Sequence, residues 1–301
     1  MSEEFNLQLD DDEEECPPAG AARGWREGLP PRPGGIDPPG TNTAELSAFA
    51  DEVTRTRDRI VILGRRGAGK TVFLARLYQE LWRRTEGLQA RALDGNAHQR
   101  FMECIEAMGN GHWPEATLAQ RWADLELRYG SRIWTLRVLD YPGEVFRRAF
   151  VEGAEDEAAD MLRSHVDAAA AVLVLIDPVA ARSGSLEASV DAEFGMSAAL
   201  RRVHERAGDH AVPVAVVLTK CDVALPHINE AGGARQYLES HLPGLVRDGG
   251  VFRVFASSAV RAQADALGTL RPVPEKDALG IVQPLQWCLK CLARESGGEA
   301  L

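Results

Sequence analysis

Eight residues constrain this chain more than any other feature of it. Residues 64–71 read GRRGAGKT and match the phosphate-loop pattern GxxxxGK[ST]. The apolar run 60–63 before them predicts a buried strand, and the run 71–78 after them predicts a helix. A strand, a glycine-rich turn and a helix in this order build a phosphate site at the edge of a parallel sheet. We therefore expect an α/β protein with three layers, α/β/α.

The residues of this loop predict how it would hold a nucleoside triphosphate. Lys70 is expected to reach the β- and γ-phosphates, and the Thr71 hydroxyl to bind Mg²⁺. Backbone N–H groups turn inward around phosphate at the positive end of the helix dipole. The predicted backbone contacts come from Gly64, Gly67, Ala68 and Gly69. The alternative is a chance match, although few chance matches would lie between a strand and a helix.

A second motif, Asp140-Tyr141-Pro142-Gly143, fits DxxG and ends the apolar segment 133–139. A carboxylate at the carboxyl end of a strand can hold a Mg²⁺-bound water, so Asp140 is a predicted metal ligand. Gly143 is expected to turn its N–H towards the γ-phosphate. The alternative is an ordinary turn, because proline and glycine mark turns in many proteins.

A third motif, Thr219-Lys220-Cys221-Asp222, predicts which base is accepted. The Asp222 carboxylate is expected to accept hydrogen bonds from N1–H and the 2-amino group of guanine, and adenine has neither donor. Thr219 and Lys220 are predicted nucleotide contacts, with Lys220 lying against the base and bracing the phosphate loop. The alternative is a surface turn. The less specific segment 257–259 follows another apolar run, and a backbone N–H of Ser258 or Ala259 is predicted to reach guanine O6.

In this order the motifs resemble those of the Ras-like, translation-factor class of P-loop GTPases. Over roughly residues 58–292 the chain is most similar to the bacterial double-GTPase group, although we find one set of motifs. The resemblance rests on GRRGAGKT, PEAT at 114–117, DYPGE at 140–144, TKCD at 219–222 and VQPLQW at 282–287. It implies a P-loop NTPase fold, GTP or GDP and Mg²⁺ as ligands, and a regulatory switch in bacterial multi-component signalling or conflict systems.

The resemblance also implies roles for three further residues. Thr117 is the candidate first-switch threonine that would complete the metal site with Thr71 and Asp140; the alternative is a helix N-cap. Glu144 stands where Ras-like enzymes have a water-orienting glutamine, and Arg66 where Ras has glycine. Lys70, Glu144 and Arg66 are therefore the candidate catalytic residues, and the two departures predict slow hydrolysis.

Alternating and continuous apolar runs predict the sheet. Residues 124–129 alternate, turn at 130–131 and return through 133–139, which predicts a hairpin and one antiparallel edge strand on a mostly parallel sheet. The continuous runs 171–176 and 214–218 are typical of parallel strands that are covered on both faces.

Domain organisation is predicted from composition. Residues 1–50, first acidic and then rich in proline and glycine, are expected to be a disordered tail, either solvating or docking to a basic partner. Residues 51–295 are the predicted GTPase domain, with an insert at about 86–120 that includes a helix at 101–108, and residues 296–301 are a C-terminal tail. An effector or activating protein is expected to contact the insert and the switches.

Charge, hydropathy and cysteine usage bound the remaining functions. The net charge of −11 argues against general nucleic-acid binding. We find no signal peptide, no bilayer-spanning run and no lipidation motif, so no intrinsic membrane anchor is expected. The scattered cysteines indicate a cytoplasmic location, and Cys288 and Cys291 are predicted to pack in the core rather than to bind zinc.

Three functions remain open from the sequence. The first is a regulatory GTPase, the second is a nucleotide-binding scaffold that scarcely hydrolyses GTP, and the third is a P-loop ATPase or kinase. The third motif favours guanine over adenine, whereas Glu144 and Arg66 keep the scaffold open.

Overall fold

A computed structural model of the chain describes residues 55–56, 59–130, 132–183, 186–207, 212–248, 252–266, 268–273 and 278–295. The predicted tails at 1–50 and 296–301 lie outside the described residues. The strands are β1 (Arg55–Thr56), β2 (Ile60–Gly64), β3 (Gln89–Ala92), β4 (Arg121–Tyr129), β5 (Arg132–Asp140), β6 (Ala171–Ile176), β7 (Val214–Leu218), β8 (Phe252–Ala256), β9 (Ala262–Ala264) and β10 (Leu270–Pro272).

Helices connect most of the strands. They are α1 (Lys70–Trp82), α2 (Gly95–Gly109), α3 (Gly143–Arg147), α4 (Glu157–Asp167), α5 (Pro178–Ser183), α6 (Leu186–Ala207), α7 (Cys221–Glu230), α8 (Ala234–His241), α9 (Pro243–Asp248) and α10 (Gln283–Glu295). A π-helical turn, Arg148–Glu152, continues α3. No helix among the described residues has both the length and the apolarity that a membrane crossing requires.

The parallel strands β2, β6, β7 and β8 pair in that order and form the centre of the molecule. Successive residues of a strand point to opposite faces, so each strand contributes to two buried clusters. Val61 and Leu63 join the cluster beneath α4 and α6, whereas Ile60 and Ile62 join the one beneath α1 and α10. Both faces are therefore covered, which explains the continuous apolar runs. The predicted three-layer α/β fold is confirmed.

The predicted hairpin is present, and its buried face has the expected register. Leu125 lies opposite Leu136, and Leu127 lies opposite Trp134; all four side chains are buried. Although β4 is antiparallel to β5 as predicted, it is not an edge strand, because β3 pairs with its outer side. The four residues of β3 read QARA, which is too short and polar for an alternation signal. With β1, these strands form a second hydrogen-bonded sheet in the order β1-β5-β4-β3.

The predicted insert helix is part of α2. Asp94 caps it by accepting hydrogen bonds from the N–H groups of Asn96 at 2.9 Å and Ala97 at 3.2 Å. The Phe101 ring stacks on Tyr78 of α1 with 4.9 Å between centroids. Cys288 and Cys291 of α10 are buried in the core, as predicted.

His165 gives the fold a predicted sensitivity to acid. It is buried on α4 against the edge of the Trp122 ring, and within the described residues neither ring nitrogen has a hydrogen-bond partner. Burial, followed by the charges of Arg59 and Arg137, lowers the pKa of His165 from 6.5 to about 3. The unfolded chain therefore binds a proton below about pH 6.5 that the folded protein does not. The contribution of His165 to stability is accordingly complete above pH 6.5 and is lost as the pH falls towards 3.

We expect His165→Leu to remove this sensitivity to acid. The gap in unfolding free energy between variant and wild type should grow, in favour of the variant, by about 2 kcal/mol between pH 7 and pH 4.5. Urea unfolding of both proteins at the two pH values measures this gap. A gap that does not change with pH would show that folding does not lower the pKa of His165.

Candidate nucleotide-binding site

The loops after β2, β5, β6, β7 and β8 meet at one edge of the molecule, where parallel strands place their carboxyl ends. Together with residues before β4 they surround a cavity of about 790 Å³, a size typical of small-molecule sites. The sequence-predicted residues that line it are Arg66, Gly67, Gly69, Lys70, Thr71, Thr117, Gly143, Glu144, Thr219, Lys220, Asp222 and Ala259. The other four, Gly64, Ala68, Asp140 and Ser258, lie directly behind this lining and bond to it.

The phosphate loop turns as its glycines allow. Gly67 and Gly69 have φ values of 81° and 83°, in the left-handed region that side chains disfavour. Lys70 begins α1, and its Nζ donates to the carbonyl oxygens of Gly64 at 2.9 Å and Arg65 at 3.2 Å. Burial lowers the pKa of Lys70 from 10.5 to about 8, against the opposing charges of Asp140 and Glu144. A buried cation at a helix N-terminus suits a polyphosphate.

Tyr141 fixes the position of this loop, although no sequence motif marks its side chain as functional. Its hydroxyl accepts from the Gly64 N–H at 3.1 Å and lies 3.3 Å from the Gly64 carbonyl oxygen. Lys70 Nζ lies 4.6 Å from the centroid of the same ring, which is within cation–π range. The residue after Asp140 therefore joins the end of β5 to the end of β2.

Three oxygen-bearing side chains converge at the metal site predicted from the sequence. The Thr71 and Thr117 hydroxyl oxygens are 2.9 Å apart. Each lies close to the Asp140 carboxylate, at 3.3 Å from Thr71 and 3.1 Å from Thr117. Burial raises the pKa of Asp140, while the Thr117 hydrogen bond and the Lys70 charge act to lower it. Two hydroxyls and one carboxylate fit Mg²⁺, a hard cation that keeps several waters and takes few protein oxygens.

Thr117 reaches this cluster from a loop, and the alternative of a helix N-cap is wrong. The loop runs from the end of α2 to β4, so a strand follows Thr117 rather than a helix. Gln120 fixes the far end of the loop, since its side chain donates to the Ala158 carbonyl oxygen at 2.8 Å.

Gly143 and Glu144 lie against the phosphate loop. A Cβ at Gly143 would collide with the backbone of Arg66, so only glycine permits this approach. The Glu144 carboxylate forms an ion pair with the Arg66 guanidinium, and both side chains are mostly exposed. A hydrogen bond from its own N–H, together with the Arg66 charge, lowers the pKa of Glu144. Arg66 and Glu144, the two residues that differ from the Ras pattern, therefore contact each other.

Asp222 faces the cavity from the start of α7. One carboxylate oxygen accepts from the Ser258 hydroxyl at 3.0 Å, and the other accepts from the Ala262 N–H at 2.9 Å. Ser258 is itself fixed by two backbone bonds with Leu279, each of 2.9 Å. These contacts hold the carboxylate in one orientation, as recognition of two adjacent donors on a base requires.

The contact with the phosphate loop that was predicted for Lys220 is made by Thr219, and Lys220 contacts Asp177 instead. The Thr219 hydroxyl lies 3.1 Å from the Ala68 carbonyl oxygen of the phosphate loop and 3.0 Å from that of Ile176. Lys220 has a left-handed backbone, with φ of 55°, and its Nζ lies 2.5 Å from the Asp177 carboxylate. The side chain of Asp177 is buried at the end of β6, so it attracts the ammonium away from the loop.

A sequence model of the family described as Double-GTPase 1 matches residues 61–223, more than half of the chain. The chain belongs to the Double-GTPase 1 family. The match runs from β2 to the residue after Asp222, so it includes the phosphate loop, the Asp140 motif and the guanine motif. Membership of this family shows that the chain is a GTP-binding protein. It therefore sets aside the alternative of a P-loop ATPase or kinase. Comparison with proteins of curated function gives no significant match.

Arg76, which lies within the matched range, connects the site to a loop outside that range, the segment 257–259 after β8. Its Nε donates to the Ala259 carbonyl oxygen at 3.0 Å, across from α1 to the segment after β8. Arg76 lies six residues after Lys70 on the same helix. The helix that carries the phosphate-binding lysine therefore also positions the loop predicted to reach guanine O6. No sequence pattern marks this contact, because its two residues are far apart in the chain.

Proposed function

We propose that this double-GTPase is a Mg²⁺-dependent, slowly hydrolysing regulatory GTPase that switches between GTP and GDP states. The convergence of Thr71, Thr117 and Asp140 carries the proposal. The phosphate loop, the loop before β4 and the end of β5 each contribute one of these side chains. Such a cluster, adjacent to a buried Lys70, is what a metal-bound triphosphate requires.

Each candidate residue has a defined part in this proposal. Thr71, Thr117 and Asp140 would hold Mg²⁺, which when bound neutralises charge on the β- and γ-phosphates. Lys70 and the loop N–H groups would bind the phosphates and stabilise charge that develops on them. Gly143 would donate its N–H to the γ-phosphate. Asp222 would select guanine, with Thr219, Lys220, Ser258 and Ala259 around the base.

The Arg66–Glu144 ion pair supports slow hydrolysis. Glu144 must leave Arg66 to orient or deprotonate a water, and an anionic side chain beside a triphosphate is repelled by it. Arg66 could then place its charge near the γ-phosphate, as an arginine finger does. The same ion pair favours the second candidate function, a scaffold that binds GTP and hardly hydrolyses it.

Switching would follow from losing the γ-phosphate. Thr117 and Gly143 would lose their partner, which releases the loop before β4 and the start of α3. Leu118, beside Thr117, is 89% exposed, so an effector or activating protein could sense the loop directly. The proposed setting is a bacterial multi-component signalling or conflict system in the cytoplasm, as the resemblance and the cysteine usage indicate.

Single-turnover hydrolysis of radiolabelled GTP tests this proposal. We expect release of phosphate by the isolated protein at about 10⁻³ s⁻¹ or slower, and no release when EDTA removes Mg²⁺. Lys70→Ala should abolish the reaction, whereas Lys290→Ala, an exposed lysine of α10, should leave it unchanged. A rate above about 1 s⁻¹ would contradict slow turnover, and GTP binding with no hydrolysis would favour the scaffold.

A further inference from the structure

A short hairpin beside the base site is attached to the guanine-selecting carboxylate. Strands β9 and β10 pair Ala262 with Pro272 and Ala264 with Leu270. The hairpin begins at Ala262, whose N–H donates to Asp222. Its first residue is therefore part of the base site, and its second strand returns along the cavity wall, where Leu270 lies.

Asp265 stiffens this hairpin at its turn. One carboxylate oxygen accepts from the Thr269 N–H at 2.9 Å, and the other accepts from Arg271 Nε at 2.8 Å. Backbone bonds between Asp265 and Thr269 and between Asp265 and Gly268, each of 2.9 Å, close the same turn. The hairpin can therefore act as a fixed support rather than as a loose loop.

Trp113 connects the loop before β4 to this support. Its indole Nε1 donates to the Leu270 carbonyl oxygen at 2.8 Å. Trp113 lies four residues before Thr117, and both line the cavity. The loop thus has one contact on the base side, through Trp113, and one on the metal side, through Thr117. Residues 113–118, which include both contact residues, all line the cavity.

We infer that Trp113 is a positioning residue that fastens the first-switch loop to the β9–β10 hairpin and thereby slows nucleotide release. This inference rests on the proposed function, because it assumes that the cavity holds the nucleotide. A nucleotide that leaves must displace the loop, and the loop must then break the Trp113–Leu270 hydrogen bond. Because the hairpin also holds Asp222, the base site and the switch loop share one support.

Trp113→Phe tests the inference, since it keeps an aromatic ring and removes the N–H donor. The loss of one hydrogen bond should speed the dissociation of fluorescent GDP by about 3- to 10-fold. Trp82→Phe is the matched control, because Trp82 is similarly exposed on α1 but lies outside the cavity lining, and its dissociation rate should equal that of wild type. Thermal unfolding of the nucleotide-free Trp113→Phe protein should match wild type, which separates positioning from a general loss of stability.

Tryptophan emission provides a second readout. Among the described tryptophans, Trp113 is the one that lines the cavity, so the change in emission on GDP binding should disappear in Trp113→Phe. Unchanged GDP dissociation in Trp113→Phe would overturn the inference. Hydrolysis is not involved in this measurement, so faster release without any GTPase activity would contradict the proposed function and leave the inference standing.

A double-mutant cycle tests whether the hairpin is the support. Asp265→Ala should speed GDP release on its own, because the hairpin then loses two side-chain bonds. In the Asp265→Ala background Trp113→Phe should add little, since the support that Trp113 contacts is already loosened. If Asp265→Ala alone has no effect, or if the two fold-changes multiply, the hairpin does not hold the loop through Trp113.

Discussion

Asp222→Ala is expected to lower the affinity for GTP by at least about a hundredfold, with no comparable change for ATP. The reason is that N1–H and the 2-amino group of guanine would be left in the site without an acceptor. Competition between fluorescent GDP and unlabelled nucleotides measures both affinities. Glu230→Gln, which removes a charge at the far end of the same helix α7, is the control and should bind like wild type.

Asp222→Asn tests the same role while keeping a side chain of similar shape. Alanine also removes the acceptor for Ser258 and Ala262, so a loss of affinity could reflect a displaced loop. Asparagine keeps one acceptor oxygen and turns an N–H donor towards the base. This donor opposes the guanine 2-amino group but matches the carbonyl of xanthine. We expect weak binding of GTP and improved binding of XTP; an Asn variant that binds GTP within about threefold of wild type would contradict the role of Asp222.

Asp140→Asn is expected to abolish the effect of Mg²⁺ on GTP binding. In wild type, chelating Mg²⁺ should weaken binding by about tenfold or more, because the metal bridges protein oxygens and phosphates. In the variant the affinity should be low and nearly equal with Mg²⁺ or with EDTA. Titrations with fluorescent GTP under both conditions measure this difference.

The fold of the Asp140→Asn protein should remain intact. Burial raises the pKa of Asp140, so its charged form is disfavoured at this position, and a neutral amide avoids that cost. Thermal unfolding should therefore be unchanged or slightly higher. Asp124→Asn, on the paired strand β4, is a control that should keep the wild-type response to Mg²⁺. If Mg²⁺ changed the GTP affinity of Asp140→Asn as much as it changes that of wild type, the metal site would have to lie elsewhere.

Local sequence patterns predicted the main elements and motif residues, because both depend on neighbours in the chain. The strand–loop–helix unit at Lys70 and the continuous run of β6 follow from periodicity and glycine placement. The motif at Asp222 follows from the donor pattern of guanine. These features can be predicted without knowledge of distant contacts. The structure brings the side chains of Lys70 and Asp222 to one cavity.

The residues that the sequence did not reveal act through contacts between distant segments. Tyr141 binds Gly64, Arg76 binds the Ala259 carbonyl, and Trp113 binds that of Leu270. Each contact joins a side chain to a backbone group on another element, and a backbone group carries no residue-specific signal. The short polar strand β3 was missed for a related reason, since its pairing with β4 decides its structure rather than its own pattern.

The most direct measurement is displacement of fluorescent GTP from the wild-type protein, in the presence of Mg²⁺, by unlabelled GTP or ATP. A guanine-specific switch predicts that GTP displaces the probe and that ATP, at the same concentrations, leaves it bound. Equal displacement by ATP would contradict this account, because Asp222 would then not read the base.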